Sequence, residues 1–394
     1  MSNLNDNVYE ASEDSKLLLK HALKYINLNT QSLCEVGVGS GFVVTSIAQK
    51  YPKIKYFGTD INSDAINITK SKLEKTNVKF ELKKTNLLDN INKKFDIIIF
   101  NTPYFPFEDK KDSFETLSMK DRAIYGGKLG YETTVDFIYQ LNSHLEEKGI
   151  CLIIISTLTN PQVIKDTLKK NLFDYEVLEE ENSFFEKILC IKINKNEILK
   201  KINKKQITNV KYLASGKHSI VLDGIYKKKP VIIKVGKFQH LQKEAIFEEK
   251  LQDLKFVPQM FFKDNNFIIR EKIEGVLIND FIANVKNKTE LEIVLNQILE
   301  ATQKLDKRGI NKFEMTNPHK HIYILENGKS IKFIDFERCI YSQHPKNTTQ
   351  VLEFFRRNIP NLEKKGININ EKKILEISKK YKKNNFKFTI KNLY

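Results

Sequence analysis

The chain has 394 residues, 41% of them hydrophobic and 29% charged, with a net charge of +17 and four cysteines. That length suits two or more domains, each large enough for its own core. No apolar run approaches the roughly 20 residues of a membrane helix, and Met1 to Tyr9 is polar and acidic rather than a signal segment, so the composition predicts a cytoplasmic protein without membrane contact. Cys34, Cys151, Cys190 and Cys339 are isolated, and three lie in strand-like runs, which favours reduced core thiols over a metal site or a disulfide. The charge is uneven: residues 1–195 carry −1 and the remainder +18. A basic second half suits a ribosome, an RNA or a nucleotide phosphate, although a Lys-, Asn- and Ile-rich composition also places lysines on ordinary solvated surface.

From Leu33 to Ile193, apolar runs alternate with amphipathic stretches. Strands are predicted at Ser32–Val36, Lys55–Thr59, Lys79–Lys83, Asp96–Phe100, Ile150–Ser156 and Ile188–Ile193, with helices such as 43–50, 63–76 and 134–147 between them. The alternation predicts a Rossmann-like, doubly wound, mostly parallel sheet over residues 1–194, with ligands at the strands' carboxyl ends. Residues 195–209, rich in Asn and Lys, read as a helical or extended linker. Over 210–345 the order becomes strands, one helix, strands and then a helical lobe, which predicts a two-lobed α+β nucleotide-binding domain. Residues 346–394 read as a basic helical tail.

Glu35-Val36-Gly37-Val38-Gly39-Ser40-Gly41 places Gly37, Gly39 and Gly41 where the first strand turns into a helix. Such a turn lets an adenosyl-methionine lie against bare backbone, and its G-x-G-x-G spacing is not that of dinucleotide enzymes. Asp60 ends the second strand, where a carboxylate can grip both ribose hydroxyls, and Glu35 can orient the methionine end. Asn101-Thr102-Pro103-Tyr104 follows the apolar strand 95–100. An Asn side-chain oxygen and the next residue's carbonyl can both accept from a planar NH2 group, drawing its lone pair toward a methyl donor, while Tyr104 offers a stacking floor. The pattern predicts an S-adenosylmethionine (SAM) enzyme acting on an amide or amino nitrogen.

These residues, with 8–15, Asn86-Leu87, 123–130 and 184–187, resemble the HemK-type glutamine methyltransferases, in particular their archaeal and eukaryotic branch. The likeness spans Val8 to about Ile193. It implies methylation of the glutamine in the Gly-Gly-Gln loop of a translation release factor, SAM lined by Ser15, Glu35, Gly37, Asp60, Asn86 and Leu87, and Asn101 on the glutamine amide. It also implies a small zinc-binding activator protein supplied in trans. Thr102 stands where that family has proline, Asn86 where it often has aspartate, and Ser12 where it has proline; slower chemistry is expected from the first. The same tetrapeptide serves adenine and cytosine amino-methyltransferases, so a nucleic-acid acceptor stays open.

In the second half, the 213–221 segment around Gly216 looks like a shortened phosphate-covering loop. Lys234 ends an apolar strand, with Glu244 or Glu248 to pair with it, and Asp335 follows another strand as a metal-binding carboxylate. With 314–321 and 345–350, these resemble RIO-like and lipopolysaccharide-kinase-like atypical kinases, implying ATP and Mg2+. Glu314 occupies the place of the catalytic aspartate, His321 that of a metal-binding Asn, and Glu337 that of the glycine after Asp-Phe. The substitutions favour ATP binding over efficient phosphoryl transfer, and leave a pseudokinase or docking module open.

Overall fold

The computed structural model describes residues 8, 10–107, 117–183, 185–216, 218–384 and 386–394. Tyr9, Phe184 and Lys217, each part of a motif above, lie outside the described residues. The chain divides into two compact units, Met1–Tyr212 and Leu213–Tyr394.

The first unit is built on a seven-stranded sheet: β1 (Ser32–Val36), β2 (Lys55–Asp60), β3 (Phe80–Lys84), β4 (Phe95–Asn101), β5 (Leu145–Ser156), β6 (Phe173–Ser183) and β7 (Glu186–Lys195). Its spatial order is β3-β2-β1-β4-β5-β7-β6. The pairings from β3 through β5 are parallel, and β7 is antiparallel to both β5 and β6. Central β4 and the Gly149–Ser156 part of β5 are Ile-rich and almost wholly buried, as strands covered on both faces must be, while Glu146 to Lys148 at the start of β5 are exposed. The helices are α1 (Glu13–Tyr25), α2 (Phe42–Lys50), α3 (Ser63–Leu73), α4 (Met119–Arg122), α5 (Glu132–His144), α6 (Pro161–Lys170) and α7 (Glu197–Lys204). A core around Leu17, Leu33, Val44, Ile47, Ile99 and Leu152 joins α1 and α2 to the sheet.

Residues 195–209 contain the helix α7, whose Leu199 and Ile202 are buried and whose Asn203 exchanges side-chain hydrogen bonds with Asn142 of α5, so the segment is packed rather than a free connector. One strand differs from the sequence reading. β6 was not expected: its run of four glutamates and aspartate hides a strand with only its alternate residues covered, at the outer edge of the sheet.

The second unit carries an antiparallel sheet of β8 (Thr208–Ser215), β9 (Ser219–Tyr226), β10 (Lys229–Gly236), β11 (Met260–Lys263) and β12 (Phe267–Glu271), in the order β11-β12-β10-β9-β8. The unit boundary falls inside β8. Helix α8 (Phe238–Lys250) follows β10. One small sheet runs in the order β13 (Val276–Leu277), β15 (Ile322–Leu325), β16 (Ser330–Phe333), and another pairs β14 (Ile310–Asn311) with β17 (Ile340–Tyr341). Helices α9 (Ile278–Asn284), α10 (Lys288–Lys307), α11 (Asn347–Arg357), α12 (Ile359–Glu363) and α13 (Glu371–Lys383) complete it.

The expected tail is therefore core. Val351, Leu352, Phe355, Leu362, Ile374, Ile390 and Leu393 are buried together with Leu295, Ile298 and Leu305 of α10. Asp306 fixes the start of α11, accepting from the backbone N–H groups of Asn347 and Thr348 at 3.0 Å each. The lysines that make this segment basic occupy the outer face of α13, while its inner face supplies Ile374 and Tyr381. All four cysteines are buried and unpaired. No described helix is long and apolar enough to cross a membrane.

Candidate active site

The carboxyl ends of β1, β2 and β4 open on one cavity, lined by Ser15, Glu35 to Ser40, Asp60, Asn86, Leu87 and Asn101 to Phe105 among others. Gly41 is not part of the lining. It takes φ of +73° at the start of α2, and a Cβ there would lie 2.7 Å from the Thr69 hydroxyl of α3, so its missing side chain serves the approach of two helices. Gly37, at φ +66°, backs onto the Phe100 ring, 3.4 Å from where its Cβ would be.

The two acidic residues are held by backbone amides. Asp60 accepts from Gly39 N–H at 3.0 Å and from Asn62 N–H at 2.8 Å, tying the glycine turn to the end of β2. Glu35, 3% exposed, accepts from Val44 N–H in the first turn of α2 at 2.9 Å. Burial pushes the Glu35 carboxyl up to about 8 against the Val44 hydrogen bond, and raises Asp60 above its ordinary value too.

At the end of β4, Asn101 Nδ2 donates to Ser15 Oγ at 3.3 Å, while Asn101 Oδ1 is buried with no hydrogen-bond partner. A buried amide oxygen without a donor costs free energy unless a ligand supplies one. Thr102 is 2% exposed and donates its hydroxyl to the Ile154 carbonyl of β5 at 2.6 Å. Tyr104 donates to Asp14 Oδ2 at 3.3 Å, and its ring lies 5.1 Å from that of Phe105. Asp14 lies in the 8–15 segment, and its signal in the sequence is a carboxylate in the first turn of α1, 6% exposed in the structure. The segment 123–130 braces the same loop: Phe105 N–H donates to Ile124 O and Gly126 N–H to Phe105 O, each at 3.0 Å. A Cβ on Gly126 would sit 2.2 Å from the Pro103 carbonyl oxygen, so only glycine permits this approach.

The second unit gathers the other expected residues into two neighbouring groups. Gly216, Lys234, Asp335 and Glu337 line a cavity with His218, Ser219 and Leu241. Lys234 Nζ pairs with Glu244 at 2.6 Å, and Arg270 binds both Glu244 and Glu248, two wholly buried carboxylates. Burial opposes the charge on Glu244, but Arg270 and Lys234 outweigh it and hold the carboxyl below its ordinary value. Ligand atoms of Glu314, His321 and Asp335 lie within 4.8 Å of one another. His321 Nδ1 and Asp335 Oδ1 are buried without a hydrogen-bond partner, and Glu314 and Asp335 take left-handed backbone at φ +76° and +65°. Such a set of two carboxylates and an imidazole fits a divalent cation, and suits Mn2+ or Zn2+ better than Mg2+. Glu314 is engaged on both oxygens, by His321 at 3.1 Å and by Arg338.

The family model for the Methyltransferase small domain matches residues 9–120. A protein of Methanocaldococcus jannaschii named as an N5-glutamine methyltransferase is 35% identical over 190 residues, covering 48% of this chain and 92% of that relative. This chain belongs to the protein N5-glutamine methyltransferase family. A release factor glutamine methyltransferase of Aquifex aeolicus is 26% identical over 183 residues, covering 43% of this chain but only 62% of that relative. Among solved structures, the E. cuniculi Mtq2–Trm112 complex, described as responsible for methylation of the eRF1 translation termination factor, is 23% identical. That match covers 48% of this chain and 99% of the other with a TM-score of 0.38, too low to carry weight. SAM is the methyl donor of this methyltransferase family. The cavity suits it: a glycine turn, the buried Glu35 and the half-buried Asp60, both held by backbone amides, line it together with Asn101, whose Oδ1 lacks a hydrogen-bond partner.

The methyltransferase should show a pH signature of Glu35. Its folded carboxyl holds a proton up to about 8, whereas unfolding restores the ordinary value of 4.5. The folded state therefore binds more protons between those values, and stability falls as pH rises from about 4.5 to about 8, Asp60 adding in the same direction. Denaturant midpoints measured on ligand-free protein across this range should decline. Glu248 of the second unit, raised to about 7, adds to the fall below that pH, so Glu35→Gln should remove the part between about 7 and 8 and lessen the rest; an unchanged slope would show that Glu35 does not contribute.

Proposed function

We propose that the first unit methylates the side-chain nitrogen of the glutamine in the Gly-Gly-Gln loop of a translation release factor. The observation that carries this reading is the buried Asn101 Oδ1 with no donor, at the mouth of the loop that also holds the Thr102 carbonyl. A primary amide brings two N–H donors, and two fixed acceptors satisfy both. They gain most as the nitrogen pyramidalises, because its lone pair then leaves conjugation and points at the electrophile. When bound, SAM supplies an electrophilic methyl group on a sulfonium. Asp60 would hold the ribose hydroxyls, Glu35 the methionine end, and Asn86 and Leu87 the adenine, against the bare backbone at Gly37 and Gly39; Ser15 steadies Asn101, and Tyr104 closes the floor of the acceptor site. The release-factor acceptor is supported by the printed names of relatives such as that of Aquifex aeolicus, and the small zinc-binding activator by the resemblance in the sequence.

The test is transfer of labelled methyl from SAM to a release factor and to its variant with arginine in place of that glutamine, with and without such an activator. Label is expected on the first only, and Asn101→Ala should lower turnover by about a hundredfold while SAM still binds. Label on RNA or DNA with none on the factor would overturn the protein acceptor.

For the second unit, the reading is a nucleoside triphosphate site with a divalent cation. Lys234, oriented by Glu244, would face the phosphates beneath the Gly216 loop, with the cation on Asp335 and His321. Engagement of Glu314 by His321 and Arg338 leaves it poorly placed to take a substrate proton, which favours binding over transfer. Calorimetry with ATP and Mg2+ or Mn2+ should give binding that is weakened at least tenfold by Lys234→Ala, about one charge-assisted contact. No binding by the wild-type chain under either cation would contradict it.

A further inference from the structure

Thr102 stands where the resembled family carries proline, and its side chain is not idle. It is 2% exposed, and its hydroxyl reaches the Ile154 carbonyl of β5 at 2.6 Å. Ile154 is the residue paired with Asn101 in the parallel β4–β5 register, the last pair of that ladder. The hydroxyl thus binds β4 to β5 one residue beyond the end of their pairing. Downstream, Pro103 confines Thr102 to extended backbone but leaves its φ a wide range. Further on, the loop is fixed by Phe105 N–H on Ile124 O and by Gly126 packed against the Pro103 carbonyl. Between these two anchored stretches the Tyr104 hydroxyl is held by Asp14 and the Thr102 hydroxyl by Ile154, and the second is the contact borne by Thr102 itself.

We propose that Thr102 is a positioning residue whose hydroxyl, tethered to Ile154, aims its own backbone carbonyl at the substrate NH2 group. The tether performs by a hydrogen bond what a proline ring performs by fixing φ. This rests on the acceptor role given above to the Thr102 carbonyl. An isosteric loss of the tether should leave SAM binding intact, because the hydroxyl points to β5, and should fall on turnover, where a misplaced acceptor costs most.

The experiment compares Thr102→Val and Thr102→Ser with the wild-type chain. Thr102→Val should lower kcat on the release factor about tenfold, with SAM affinity within about twofold of wild type and Thr102→Ser close to wild type, in line with an acceptor displaced but still present. Amide hydrogen exchange of Tyr104 and Phe105 in the SAM-bound protein reads the tether without any acceptor: it should quicken in Thr102→Val and not in Thr102→Ser. Equal exchange in all three proteins, or equal loss of turnover in the valine and serine variants, would overturn the tether. Slowed loop exchange in wild type and serine, with no methyl on the release factor, would instead refute the acceptor and leave the tether standing.

Discussion

Everything in the first unit depends on where its strand order turns back. From β1 the chain runs to β2 and β3 on one side, then returns to β4 on the other, so the loops leaving β1 and β4 diverge and open a crevice at their carboxyl ends. The glycine turn, Asp60 and the Asn101 loop reach one cavity for that reason, although they are scattered over some 70 residues of sequence. The burial that makes the sheet stable also sets the chemistry: it raises Glu35 and Asp60 and strips solvent from Asn101 Oδ1, so that groups weakly engaged in water become strong ones inside.

The second unit solves a different electrostatic problem. Two wholly buried glutamates on α8 face Lys234 of β10 and Arg270 of β12. Removing one partner of such a group leaves an uncompensated buried charge, so the set is tightly interdependent. Glu248 is raised to about 7 by its burial, and Glu244 is held low because the two cations serve it first. The alternative pairing left open by the sequence resolves accordingly: Lys234 meets Glu244, and Glu248 meets Arg270.

Legibility in the sequence followed the strength of local signals. Strands β1, β4 and β5 announced themselves as apolar runs, and Asn101 and Asp60 were readable because they ended such runs. Strand β6 was not, because Phe173, Tyr175 and Val177 are separated by Asp174 and Glu176 and followed by Glu179 to Glu181, so this half-covered edge strand carries no apolar run. The final fifty residues looked like a basic tail because lysine density obscured a sparse apolar stripe at Val351, Phe355, Ile374 and Leu393. Three details need coordinates by their nature: Gly41 spacing two helices at Thr69, Asp14 holding Tyr104, and the Thr102 hydroxyl reaching Ile154. Each joins residues distant in sequence through a single side-chain contact, which no spacing rule encodes.

In the proposed reaction, Asn101 Oδ1 and the Thr102 carbonyl would together hold a primary amide. The most direct measurement is NMR of a release factor labelled with 15N on the glutamine side-chain amides, bound to this protein and an unreactive SAM analogue. Both side-chain protons of the Gly-Gly-Gln glutamine should move downfield and exchange slowly, each with its own acceptor. Shifts confined to one proton, or none on a complex that still forms, would contradict it.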